Sequence, residues 1–211
     1  MKFCCALTPT NNTVERLRRM LRSFYGSANT PNNMECVLKI DDTNHRTLAA
    51  LPSLRSEFPN IKSVISPRGL GYDEMGKLIM EAAAASDSVW QFMLDDDAEL
   101  LGKGWDTQLY EMGHGTTRLD GDGSHFAAQA QYYQLNDAMY QWSGGKPCTP
   151  VGLFVPSNFW QDHKDGKLWT PADQCWQDCL GQKGWPVKML PGIVYWHHHN
   201  QRSEHPNDFK R

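Results

Sequence analysis

The 211-residue chain sets 21 Lys and Arg against 24 Asp and Glu, and its net charge of -3 excludes a global basic field for holding nucleic acid. With 40% hydrophobic and 21% charged residues it reads as a folded globular chain. No apolar run approaches the ~18 residues of a membrane span, and residues 1–7 are too short for a secretion signal, so a cytoplasmic protein is expected.

Residues 2–7 read as a first strand, which Thr8-Pro9-Thr10 breaks. Asn12 is the expected N-cap of a helix, with Glu15 as its capping-box partner. Val14, Leu17, Met20, Leu21 and Phe24 recur at helical spacing, carrying that helix to about Tyr25. After a polar loop over 26–33, a second strand over 35–40 ends in Asp41-Asp42. A short helix bearing Leu48, Leu51 and Leu54, made irregular by Pro52, leads to a third strand over 61–65 and the tight loop Arg68-Gly69-Leu70-Gly71. A helix over 73–85 presents Met75, Leu78, Ile79 and Ala82 on one side. The fourth strand, 88–94, is apolar and ends abruptly in Asp95-Asp96-Asp97.

The second half is less regular. Trp105, Leu109 and Met112 predict a short helix, followed by a glycine-rich loop over 113–123. Strands over 126–133 and 152–156 flank the turn Ser143-Gly144-Gly145-Lys146-Pro147. Thr170-Pro171-Ala172-Asp173 opens a helix to about Gln182, stopped by Gly184. Two closing strands, over 187–190 and 193–196, run into His197-His198-His199. The six cysteines, Cys4, Cys5, Cys36, Cys148, Cys175 and Cys179, form no CxxC pair and no zinc spacing, and read as reduced, mostly buried thiols.

Strands alternating with helices predict βαβ units and a mainly parallel sheet, whose ligands sit beyond the carboxyl ends of the strands. Three such ends carry polar punctuation: Thr8-Pro9-Thr10, Asp41-Asp42 and Asp95-Asp96-Asp97. Three carboxylates at the end of a buried strand need a counter-charge, and Mg²⁺ or Mn²⁺ supplies one while bridging to phosphate oxygens. A solvated acidic turn is the other reading of the triplet. Neither a Walker A loop nor GxGxxG occurs, so no P-loop nucleotidase or NAD enzyme is indicated.

Taken in order, these motifs resemble a GT-A glycosyltransferase of the family-2 type. Thr8-Pro9-Thr10-Asn11 resembles the family's strand–Pro-Thr-Tyr-Asn opening without its aromatic. Ile40-Asp41-Asp42 resembles its second strand end, and Asp95-Asp96-Asp97 its DxD motif. Ala172-Asp173, with Gly184 eleven residues on and His197 thirteen beyond that, resembles its Glu-Asp…Gly…His ending, with Ala172 in place of the glutamate. The resemblance implies a Rossmann-like α/β fold, a mainly parallel central sheet flanked by helices with a smaller acceptor-side C-terminal part. It implies one domain over 1–211, in which 1–112 bind the nucleotide sugar and 113–211 bind the acceptor and supply the base.

The implied reaction moves a sugar from a nucleotide-diphosphate sugar, UDP-sugar foremost, to an acceptor hydroxyl with inversion. In it Asp97 ligates Mn²⁺ or Mg²⁺, Asp95 contacts the metal or ribose with Asp96 beside it, and His197, or His199 in its place, adds a second metal or diphosphate contact. Asp41 or Asp42 meets the base or ribose, with Thr8, Pro9 and Thr10 in the nucleotide site, and Arg68 and Lys77 offset diphosphate charge. Asp173 stands where the family's general base stands; a helix N-cap is its alternative role. Two other functions are a sugar nucleotidyltransferase, for which a basic Gly-rich phosphate loop is missing, and a catalytically silent carbohydrate-binding protein, which Ala172 would suit. The acceptor is open among a saccharide, a protein, a small molecule and a modified base in phage-type DNA. DNA would need a basic surface, for which Arg16, Arg18, Arg19 and Arg22 on the first helix are the candidates.

Overall fold

The computed structural model describes residues 2–10, 13–68, 88–114, 126–142, 153–156 and 184–198. Four parallel strands make one half of a nine-stranded sheet: β1 (Lys2–Thr10), β2 (Met34–Asp41), β3 (Ile61–Ser66) and β4 (Ser88–Met93), in the order β3-β2-β1-β4. β2 is buried on both faces from Met34 through Ile40, as a central parallel strand covered by helices must be. The strand β1 runs through Thr8-Pro9-Thr10 rather than breaking there, with Pro9 opposite Lys39 and Thr10 opposite Ile40.

The other half adds β5 (Ala98–Leu101), β6 (Ala127–Leu135), β7 (Ala138–Gln141), β8 (Leu153–Pro156) and β9 (Val187–His197). The order continues β4-β8-β6-β9-β5, with β7 paired to β6. Only the β6–β9 pairing in this half is parallel; β4–β8, β8–β6, β6–β7 and β9–β5 are antiparallel. The sheet is the expected α/β kind, parallel through its first half and mixed as a whole. For the β6–β7 pair the cause is local: the two strands join through the two-residue turn Asn136-Asp137, with Asn136 at φ +52°, a connection only antiparallel neighbours permit. The two expected closing strands are one strand. Pro191-Gly192 is absorbed as an irregularity in the β6 pairing, where Gly192, at φ +72°, donates its N–H to Gln131 Oε1 at 2.7 Å.

Helix α1 (Val14–Ser27) is capped by Thr13, which accepts from the Arg16 N–H at 3.4 Å, not by Asn12, and buries Leu17, Met20, Leu21 and Phe24 as the spacing predicts. Helix α2 (His45–Glu57) continues through Pro52 and buries Leu51 and Leu54. Helix α3 (Trp105–His114) opens on Trp105, whose ring packs against Phe24 and Phe154 while its Nε1–H donates to Ser27 Oγ at 2.9 Å. Next to it, buried Asp106 accepts from the N–H of Asn29 and of Thr30 and from Thr30 Oγ1, at 2.9, 2.8 and 2.7 Å. These contacts tie the end of α1 and the loop after it to the start of α3. The helices expected over 73–85 and 170–182 and the turn over 143–147 lie outside the described residues.

Candidate functional site

The parallel register sets the site. β1, β2, β3 and β4 all point their carboxyl ends at one rim, with Asp41 opposite Ser66 and Thr10 one step away opposite Ile40. Lys39, which is buried, and the partly exposed Asp41, two apart and so on one face of β2, form an ion pair there. Asp42 closes the next turn: its N–H donates to Ser66 O at 2.9 Å and its Oδ1 accepts from the Arg68 N–H at 3.3 Å. Arg68 thus contacts Asp42 through its backbone. Thr8 is buried with its hydroxyl 3.8 Å from Cys36 Sγ, a buried free thiol whose pKa burial pushes up to about 12.

After β4 the chain turns sharply, the Ala98 N–H donating to Asp95 O at 3.0 Å, and β5 begins opposite the end of β9, Ala98 facing His197. The His198 N–H closes the same junction on Asp97 O at 3.0 Å. This brings Asp95, Asp97 and His197 together, with one ligand atom from each lying within 4.8 Å of the others. His197 Nε2 is 3.2 Å from Asp97 Oδ1 and 3.8 Å from Asp95 Oδ2. Asp96 is buried in the same turn. Two carboxylates and an imidazole, aimed at one point beside a quarter-exposed Asp95, are a donor set that fits a divalent ion such as Mn²⁺.

Sequence reading did not find the residues around this set. Tyr195 Oη accepts from the Asp95 N–H at 3.3 Å and lies 3.4 Å from Asp95 Oδ2. Burial, then the nearby Asp95 carboxylate, holds Tyr195 well above the ordinary phenol range, so it stays a phenol. Tyr133 Oη is 3.3 Å from His197 Nδ1. His198, on the opposite strand face, turns to Glu99 at 2.8 Å, and the same Glu99 oxygen meets Arg19 Nε at 3.1 Å. Burial, then Arg19, lowers the His198 pKa below the ordinary imidazole value. The findable signal was period two: Tyr195 lies on the His197 face of β9. Lys77, Asp173 and His199 lie outside the described residues.

Three arginines of the α1 stripe have carboxylate partners within the chain. Arg18 and Arg22 both reach Glu57, each at 2.8 Å, and Arg19 reaches Glu99. Each of these three cations would have to give up a carboxylate partner to meet a phosphate.

No protein-family model matches the sequence, and no curated protein matches it either. Solved structures do. S. aureus TarS is 15% identical, with a TM-score of 0.68 over 93% of this chain and 36% of its own. GalNAc-T7, solved with UDP, GalNAc and Mn²⁺, is 12% identical, with a TM-score of 0.70 over 93% of this chain and 44% of its own. The mannosyltransferase PcManGT from Pyrobaculum calidifontis, solved with GDP-Man and Mn²⁺, is 12% identical, with a TM-score of 0.65 over 96% of this chain and 58% of its own. The fold is that of the GT-A glycosyltransferases. The chain spans roughly a third to three-fifths of the neighbours it matches. No helix among the described residues is long and apolar enough to cross a membrane.

Proposed function

We propose that this chain is a metal-dependent glycosyltransferase that moves a sugar from a nucleotide-diphosphate sugar to an acceptor hydroxyl. The observation that carries the reading is the convergence of Asp95, Asp97 and His197 at the carboxyl rim of the parallel strands. That rim is where a doubly wound sheet receives a nucleotide. Mn²⁺ bound by these three residues would neutralise the charge that develops on the departing diphosphate. The GT-A neighbours solved with UDP-GlcNAc, or with Mn²⁺ and UDP or GDP-Man, support this donor class.

Asp41 and Asp42, at the end of the neighbouring strand, would meet the base or ribose, with Lys39 paired to the Asp41 carboxylate. Thr10 and Pro9 bring backbone to the same rim. Asp173 is the proposed base, taking the proton from the acceptor hydroxyl as it attacks the anomeric carbon, with inversion. The engagement of Arg18, Arg19 and Arg22 with Glu57 and Glu99 favours a saccharide or small-molecule acceptor over DNA.

The test is hydrolysis of UDP- and GDP-sugars by the purified protein, in Mn²⁺ and in EDTA, with acceptor products followed by mass spectrometry. Mn²⁺-dependent release of nucleotide is the expected result, and its absence with every donor overturns the reading. Asp173→Asn then tests the base: transfer falls about 10²–10⁴-fold while nucleotide binding persists, whereas a mere N-cap loses little because Asn caps nearly as well.

A further inference from the structure

Resting on the transferase reading, two tyrosines behind the metal centre gain a role that their packing alone does not require. Tyr133 on β6 and Tyr195 on β9 are direct partners in the parallel register, and their rings stack at 6.2 Å and 18°. Tyr140 on β7 continues the row, opposite Tyr133 with its ring 6.3 Å away. The rings are therefore fixed by the sheet, and each inner hydroxyl ends on a different member of the donor set. Tyr133 Oη faces His197 Nδ1 at 3.3 Å. Tyr195 Oη accepts from the Asp95 N–H at 3.3 Å and donates to its Oδ2 at 3.4 Å.

We propose that Tyr133 and Tyr195 are positioning residues of the metal centre, the first setting the tautomer and ring angle of His197, the second clamping Asp95. A neutral histidine offers Nε2 to a cation only when Nδ1 carries the proton. A phenol oxygen 3.3 Å from Nδ1 is able to accept that proton, and in the proposed role it does. Asp95 sits on a turn, a quarter exposed, and free rotation would swing its carboxylate away from Asp97 and His197. One hydroxyl bonded to both its backbone N–H and its side chain removes that freedom. Neither tyrosine needs to touch the sugar or the diphosphate; both act through a ligand.

Tyr133→Phe and Tyr195→Phe keep the rings and remove only the hydroxyls. Mn²⁺ titrated into each variant with saturating UDP, and in parallel with GDP, and read by the EPR signal of free Mn²⁺, gives affinity without turnover. Each variant is expected to bind Mn²⁺ about 10–100-fold more weakly, with circular dichroism and metal-free melting close to wild type. Tyr140→Phe, at the exposed end of the row, is expected to bind like wild type; an equal loss there would mean the row acts by packing and overturns the proposal. If both inner variants bind like wild type while Asp97→Asn loses binding, the proposal falls and the transferase reading stands. A wild-type protein that takes up no Mn²⁺ with either nucleotide overturns both. Should Tyr195→Phe fail to fold, Tyr133→Phe alone decides.

Discussion

Asp97→Asn separates the metal from the fold, because it acts on them with opposite signs. The Asp97 side chain is 1% exposed, and its ligand atom lies within 4.8 Å of those of Asp95 and His197. Two ionised carboxylates that close repel by about 3.5 kcal/mol at an effective dielectric constant of about 20. Solvent at the quarter-exposed Asp95 screens part of this, leaving about 1–2 kcal/mol that the isosteric amide relieves. At ~2–4 °C per kcal/mol for a domain of this size, the metal-free variant should melt about 2–8 °C above wild type. With Mn²⁺ at ~100 times its dissociation constant, wild type should gain about 2.7 kcal/mol and the variant almost nothing. Differential scanning fluorimetry in EDTA, then in Mn²⁺ with UDP, reads both effects. A variant that keeps the wild-type Mn²⁺ shift refutes the metal assignment, and a metal-free variant that melts several degrees lower refutes the repulsion.

Asp106→Ala strands the N–H groups of Asn29 and Thr30 and should cost about 3–5 kcal/mol, read from the urea midpoint. Gly102→Ala should cost about 2–4 kcal/mol, because Gly102 holds φ +99° and a Cβ there would stand 2.7 Å from Gly192 O. Gly192→Ala, with φ +72° but open space around a Cβ, should cost only about 1–2 kcal/mol in the same assay. Cys36, raised to about 12, and Tyr195, raised well above 10.0, keep protons that the unfolded chain gives up earlier. Stability is therefore fully present below about pH 9 and is lost as pH rises toward 12, and Cys36→Ala should make the alkaline fall in urea midpoint shallower.

The first half of the fold was legible because its signals are local. Leu17, Met20, Leu21 and Phe24 share one helix face, and β2 carries Met34, Cys36, Val37, Leu38 and Ile40 within eight residues. The pairing of Asp95 and Asp97 with His197 was readable only through resemblance, since no periodicity links residues a hundred positions apart. β5 and β7 were missed because four-residue strands such as Ala98–Leu101 carry too few alternations to register. β9 was split because Pro191-Gly192 looks like a stop, while its bulge depends on Gln131, on a strand far away in sequence.

Ala98 and His197 face each other across 197 − 98 = 99 positions of chain. Closing so long a loop is entropically costly and comes late, after the local βαβ units have formed. The acidic turn can fold with β4, but it acquires its imidazole only when the final described strand settles against β5. Before that moment the growing or refolding chain holds carboxylates alone, a weak and unselective trap for cations. Tight Mn²⁺ uptake would then serve as a clock for the last step of folding.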